Sequence, residues 1–182
     1  MPFNFLEERP IIVAIAGSNG AGRSTFYYSH LANTSLRFIN ADDLARELDI
    51  GAYEAADVAD SLRRAMVFRR ESFVFETVLS DPVGEKVEFL NDAVKLGYTV
   101  VLIFIRICDV EMSIQRVSMR VAQSGHDVPD DKLVSRFRRT LDNLQLAIDK
   151  LPHVLVFDNS DLSQPFQHAA TYRDGRRVYG SE

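Results

Sequence analysis

The sequence predicts an α/β fold on a mainly parallel sheet, and three observations carry the prediction. Strand-like and helix-like segments alternate along nearly the whole chain. The first strand segment, residues 11–16, is continuously apolar, as a strand covered on both faces must be. A glycine-rich turn, "GSNGAG", then leads directly into a helical pattern. At 182 residues the chain has the size of a single domain, residues 1–182, with a full core.

Taken in order, a helix is expected over about residues 23–31, followed by a short second strand, "LRFIN" at 36–40. "ADDLARELD" begins a helix whose first turn is acidic, which complements the helix dipole. Ala55, Val58, Ala59, Leu62, Ala65 and Met66 recur at intervals of three and four, one face of a helix over residues 53–70. "SFVFET" at 72–77 is a third strand ending in a polar pair, and residues 83–96 form a helix closed by Gly97. "YTVVLIFIRI" at 98–107 is the strongest strand pattern of the chain. Val110, Ile114, Val117 and Val121 mark the next helix, which "QSGHDVPDD" breaks. Leu133, Phe137, Leu141, Leu144 and Ile148 mark the last helix, and "HVLVFDN" at 153–159 a fifth strand. "TYRDGRRVYG" centres on Asp174-Gly175, a favoured hairpin turn, so a small edge ribbon is expected at the C-terminal end.

Composition narrows the function classes. With 46% hydrophobic and 26% charged residues the chain reads as an ordinary soluble globular protein. A net charge of −5 lacks the basic excess of a general nucleic-acid binder, so any anion site must be local. The single cysteine, Cys108, permits no internal disulfide and fits a reducing compartment. No basic flank followed by an apolar stretch marks a signal peptide, and "VVLIFI" is too short to span a bilayer. A cytoplasmic protein, with neither nucleic acid nor membrane as partner, is expected.

The glycine turn is where chemistry enters. Gly17, Gly22 and Ser24 fall in the register of the phosphate-binding motif G-x-x-x-x-G-K-[ST], with Arg23 at the lysine position. Such a loop turns backbone N–H groups towards an anion, and the Ser24 hydroxyl is placed to ligate Mg2+. The alternative is a tight turn that serves packing alone. Arginine keeps the positive charge at position 23, but its planar fork is larger than a lysine ammonium and demands different geometry. Nucleotide binding tolerates that better than phosphoryl transfer, which rests on positioning and electrostatics.

Asp42 follows the second strand, at the sheet end where open α/β sheets bind ligands. As a general base it would deprotonate an acceptor hydroxyl; on position alone it reads first as a helix N-terminal acid beside Asp43. Glu76 and Thr77 end the third strand on the same rim, where they contact metal-bound water or substrate hydroxyls, or simply close a strand. Arg116 and Arg120 lie one turn apart on a face opposite Val117 and Val121, and Arg136 and Arg139 are similarly spaced on the next helix. Between the pairs lies "SGHDVPDD", so residues 115–140 or so read as a lid closing over polyphosphate, or else as solvated helix faces. His126 in that loop carries no catalytic assignment.

These residues together make the chain resemble the zeta-toxin family of P-loop kinases, in its compact stand-alone bacterial branch. The resemblance runs through "AGSNGAGRSTF", "FINADDLAREL", "ESFVFETVLS", "GYTVVLIFI", "IQRVSMRVAQSGHDVP", "RFRRTLDNL" and "VFDNS", nearly the whole chain. It implies a small-molecule kinase; the characterised type transfers the ATP γ-phosphate to UDP-N-acetylglucosamine, which poisons cell-wall synthesis, and an antitoxin protein blocks its nucleotide site. It also implies that Asp42 in "NAD" activates the acceptor, that Glu76 and Thr77 in "FET" contact the acceptor sugar, and that Arg116 with Arg120, Arg136 or Arg139 contacts phosphates from the lid. The chain departs from the family at Arg23, where lysine is usual, and in its short length, which leaves little room for the sugar-nucleotide insertions of larger members.

The reading is therefore a P-loop kinase-like three-layer fold: five parallel strands in the order 2-3-1-4-5, a helical lid and a short C-terminal ribbon. The nucleotide, ATP or GTP with Mg2+ on Ser24, is expected on Gly17, Ser18, Asn19, Gly20, Ala21, Gly22, Arg23, Ser24 and Thr25. Catalysis is expected from Asp42, Arg23, Arg116, Arg120 and Arg136. The acceptor, a UDP-sugar or related metabolite, is expected on Asn40, Asp42, Glu76, Thr77 and Arg139. The competing readings, motivated by Arg23, are a nucleotide-binding regulatory module without turnover and a slow NTPase that uses water.

Overall fold

In the computed structural model, which describes residues 4–121 and 129–180, one sheet of seven strands runs in the order β2-β3-β1-β4-β5-β6-β7. β1 (Ile11–Gly17), β2 (Arg37–Ile39), β3 (Phe73–Thr77), β4 (Thr99–Arg106) and β5 (His153–Asp158) are parallel, in the expected order 2-3-1-4-5. The sheet holds seven strands where five were expected. β6 (Gln167–Arg173) returns antiparallel along β5, from Asp158↔Gln167 to His153↔Arg173, and β7 (Arg176–Tyr179) pairs with it. The ribbon thus covers the edge that β5 would otherwise leave unpaired. Its turn is Asp174-Gly175, both residues at positive φ (47° and 75°), as a two-residue hairpin matching strand twist requires.

Among the described residues six α-helices cover the two faces: α1 (Arg23–Phe26), α2 (Ala41–Leu48), α3 (Ala52–Phe68), α4 (Glu85–Lys95), α5 (Val110–Val121) and α6 (Asp130–Lys150). α1 continues as a π-helical turn over Tyr27–Leu31, which together make up the helix expected over 23–31. Strand alternation divides the core between the faces. Ala14, Phe73, Phe75 and Leu102 pack with Met66 of α3, Leu90 of α4 and Ala147 of α6. Val13, Ile15, Val74 and Ile103 pack with Phe26, Tyr27 and Leu31 behind the glycine loop. Side chains of this size contribute about 1.5–3 kcal/mol each when fully buried, so the loop stands on a stiff base.

Two helix faces differ from the apolar periodicity. On α3, Ala65 is exposed and Arg63 is buried, its guanidinium 4.9 Å from the centre of the Phe75 ring and 3.1 Å from Asp60. The Arg63 stem and planar head fill an apolar wall while its charge stays paired. On α6, Leu141 is exposed, and Thr140 and Asn143 face inward. Thr140 donates to the Val78 carbonyl (3.0 Å), and Asn143 donates to the carbonyls of Leu79 and Asp81 (2.9 Å each). These bonds supply donors to the loop after β3, whose backbone makes no ladder there. The centre of the expected lid, His126 included, lies outside the described residues. Among the described residues no helix is long and apolar enough to cross a membrane.

Asn143→Ala strips the buried Leu79 carbonyl and the half-buried Asp81 carbonyl of their donor and is expected to destabilise the fold by about 1–3 kcal/mol. Urea unfolding measures this as a lower midpoint at an unchanged slope.

Candidate active site

The glycine loop is best understood by asking where its backbone groups go. Every carbonyl from Gly17 to Gly22 has a donor: Arg23 Nη1 on Gly17 (2.6 Å), the Ala21 amide on Ser18 (3.2 Å), Ser113 Oγ on Asn19 (2.7 Å), Arg116 Nη1 on Gly20 (3.4 Å), Asn159 Nδ2 on Ala21 (2.9 Å) and the Phe26 amide on Gly22 (2.9 Å). The amides of Asn19, Gly20, Gly22, Arg23 and Ser24 bond to none of the described residues. In a trans peptide the C=O and the next residue's N–H point in opposite directions. Pinning the Asn19, Ala21 and Gly22 carbonyls to the protein therefore aims the Gly20, Gly22 and Arg23 amides away from it. A set of amides left open in this way is an anion cradle.

Glycine is required at the mouth of the loop by contact as well as by dihedral. A Cβ on Gly17, at φ +152°, would sit 2.5 Å from the Ile105 carbonyl oxygen of β4. Ser18 and Asn19 are buried, whereas Thr25 is exposed in the first turn of α1.

Around the cradle the structure gathers charge of both signs. Ser24 Oγ donates to Glu76 Oε2 at 2.8 Å, joining the start of α1 to the end of β3. Burial pushes the Arg23 guanidinium below its usual pKa; the nearby Glu76 and Asp42 carboxylates partly offset this, and Arg120 adds like-charge repulsion. Arg23, Asp42, Glu76 and Arg120, which come from four separate elements, thus share one site. Asp42 is exposed in the first turn of α2, and its backbone amide is received by Asn40 Oδ1 at 2.8 Å. Asn40 itself is buried and acts as the N-cap of α2, which sets the direction from which Asp42 enters the site.

The other expected residues are placed differently from one another. Glu76 and Thr77 fall on opposite faces of β3, because successive strand residues alternate. Thr77 Oγ1 receives the Leu79 amide at 3.2 Å and holds Leu79 at φ 59°. Arg116 is half-buried against the loop rather than on a solvated face, its Nη2 also donating to the carbonyls of Asn159 (2.8 Å) and Ser160 (3.3 Å). Arg120 is exposed one turn further along α5. On α6, Arg139 donates through Nε to the Ser80 carbonyl at 2.8 Å, which spends part of its fork on the loop after β3. Arg136 is half-buried, and its carbonyl receives the Thr140 hydroxyl at 2.8 Å.

Sequence reasoning missed Ser113 and Asn159. Ser113 interrupts the apolar stripe of α5, and Asn159 follows the last apolar residues of β5; each is a small buried polar residue at an element rim. No group of three or more His, Cys, Asp or Glu among the described residues is spaced to hold a metal by itself. Ser24 and Glu76 do offer hard oxygen donors side by side, the kind that Mg2+ takes together with phosphate oxygens.

The zeta toxin family profile matches residues 39–170, a span that begins after the glycine loop. No curated protein sequence matches the chain. Among solved structures, the AvrRxo1-ORF1:AvrRxo1-ORF2 complex with sulphate ions is similar at a TM-score of 0.74 and 16% identity, over 94% of this chain and 61% of that one. This chain therefore spans about three fifths of that relative's length. The PezAT toxin–antitoxin system of Streptococcus pneumoniae is similar at 0.57 and 17% identity, over 95% of this chain and 71% of that one. Shikimate kinase from Bacteroides thetaiotaomicron is similar at 0.54 and 15% identity, over 85% and 89%. Identities this low reflect a shared fold, here one of P-loop kinases, and it is the profile match over most of the sequence that carries the assignment: the chain belongs to the zeta toxin family.

Proposed function

We propose that this protein is a kinase that transfers the γ-phosphoryl group of ATP to a hydroxyl of a small acceptor, a UDP-activated amino sugar. What supports this reading above all is the backbone accounting of residues 17–24, in which the carbonyls are claimed by the protein and five amides are left for phosphate oxygens. Arg23 adds a fixed positive charge, and Arg120 a second one facing it. Ser24 and Glu76 would hold Mg2+ together with phosphate oxygens; the ion would neutralise charge on the transferring group.

In the transfer itself, the acceptor oxygen forms a bond to the γ-phosphorus as the bond to the β,γ-bridging oxygen breaks, and ADP leaves. Asp42 takes the proton released from the hydroxyl. Its exposure suits that role, since the acceptor must reach it from solvent. Thr77 and Arg139 line the acceptor side of the rim in this reading, and Arg136 approaches the phosphates from α6. The antitoxin named in the PezAT relative makes an antitoxin protein the proposed macromolecular partner; the cytoplasm is the proposed location, in keeping with an ATP-using kinase with a single cysteine.

One observation favours a second reading, a nucleotide binder without turnover. Arg23 is bonded to the Gly17 carbonyl at 2.6 Å, across the mouth of the cradle it should serve.

Incubation with Mg-ATP and a panel of UDP-sugars, read by mass spectrometry, tests the kinase reading. Asp42→Asn is expected to lower the transfer rate by about 10²–10⁴-fold, the usual worth of a general base, while Mg-ATP affinity stays near wild type. Equal loss of binding and rate would remove Asp42 from the chemistry. Arg23→Lys is expected to lower kcat/KM for ATP about tenfold, because the loop is built around a guanidinium with charge-assisted partners. A rise in turnover would favour the second reading, in which arginine silences the loop.

A further inference from the structure

We infer that Asn159 is the positioning residue that aims the far half of the phosphate cradle, governing affinity for polyphosphate without touching it. The inference rests on the nucleotide-binding part of the proposed function. Asn159 is 4% exposed and joins three elements at one point. Its amide donates to the Arg106 carbonyl at the end of β4 (2.9 Å), its carbonyl receives Arg116 Nη2 of α5 (2.8 Å), and its Nδ2 donates to the Ala21 carbonyl of the loop (2.9 Å).

The last of these bonds acts through peptide geometry. The Ala21 C=O and Gly22 N–H share one planar trans unit, so holding the oxygen against Asn159 turns the Gly22 N–H to the opposite side. That N–H is one of the amides left open for an anion. Gly22 is fitted to the same contact. At φ +94° it lies in the left-handed region, and a Cβ there would approach Asn159 Nδ2 to 2.8 Å.

The other end of the side chain shows what this placement costs. Asn159 Oδ1 is buried and has no hydrogen-bond partner among the described residues, and the neighbouring Ser160 Oγ is in the same condition. An unpartnered buried acceptor lowers stability. A side chain retained only for packing would be better replaced by an apolar one of similar size; an asparagine aimed by its donor end at a ligand loop has another use.

The test separates stability from affinity. Asn159→Asp keeps the size but sets an acceptor against the Ala21 carbonyl; Asn159→Ala removes the donor without adding charge and guards against misfolding of the first variant. Ligand-free thermal unfolding is measured beside titrations with Mg-ATP and with Mg-tripolyphosphate. Both variants are expected to lose at least tenfold in affinity for either probe at a temperature where wild type and variants are fully folded; Asn159→Ala also lowers the ligand-free midpoint, because the Ala21 carbonyl loses its donor. Lowered stability with unchanged affinity would overturn the inference and leave Asn159 a structural residue. Loss for Mg-ATP alone would also overturn it, since a residue acting on the loop cannot spare tripolyphosphate. Wild-type binding without transfer to any acceptor would sink the kinase reading only, and the affinity comparison would still decide Asn159. A wild type that binds neither probe would overturn both.

Discussion

A backbone carbonyl buried without a donor costs free energy, and a loop that offers its amides to an anion must send its carbonyls somewhere else. The head of this sheet is arranged around that constraint. Arg23 and Phe26 from α1, Ser113 and Arg116 from α5, and Asn159 after β5 each take one loop carbonyl. Moving any of these elements would release a carbonyl and redirect an amide. The parallel core strands, the packing of Phe26 and Leu31 behind the loop and the close passage of Gly17 over Ile105 all serve to hold the donors at bonding distance.

The electrostatics follow a different logic from the surface as a whole. A chain with net charge −5 concentrates Arg23, Arg116 and Arg120 around one loop, with Glu76 and Asp42 opposite. Arg23 and Arg120 repel each other, and Asn19 Oδ1, Asn159 Oδ1 and Ser160 Oγ are buried without partners among the described residues. Like charges crowded at one loop are the arrangement that the proposed function calls for, since a polyanion between Arg23 and Arg120 would offset their repulsion.

Much of the architecture was legible in the sequence, for identifiable reasons. Continuous apolar strands announce a sheet covered on both sides, and Asp174-Gly175 announces its hairpin through a dihedral requirement few other residues meet. The joining of β6 to β5 was not legible, since its burial is irregular and pairing along an edge leaves no local pattern. Among site residues, the glycines, Ser24 and Asp42 carry motif signals. Ser113 carries none, and Asn159 stands in the block "VFDNS" with no role of its own attached: their bonds span 94 and 138 positions, and a buried polar residue looks locally like an interruption of the apolar face. Thr140 and Asn143 on α6 leave no local signal for the same reason, and the leucine beside them, Leu141, fits the apolar spacing yet is exposed.

The antiparallel return of β6 places its hairpin at one end of the sheet. Because Arg173 lies beside His153, at the start of β5, the Asp174-Gly175 turn sits at the opposite pole of the sheet from the glycine loop, which follows the carboxyl end of β1. That pole offers a natural handle. A fluorophore, affinity tag or surface tether spliced between Asp174 and Gly175 would hang from the rear of the sheet, leaving the glycine-loop pole clear for single-molecule or immobilised assays.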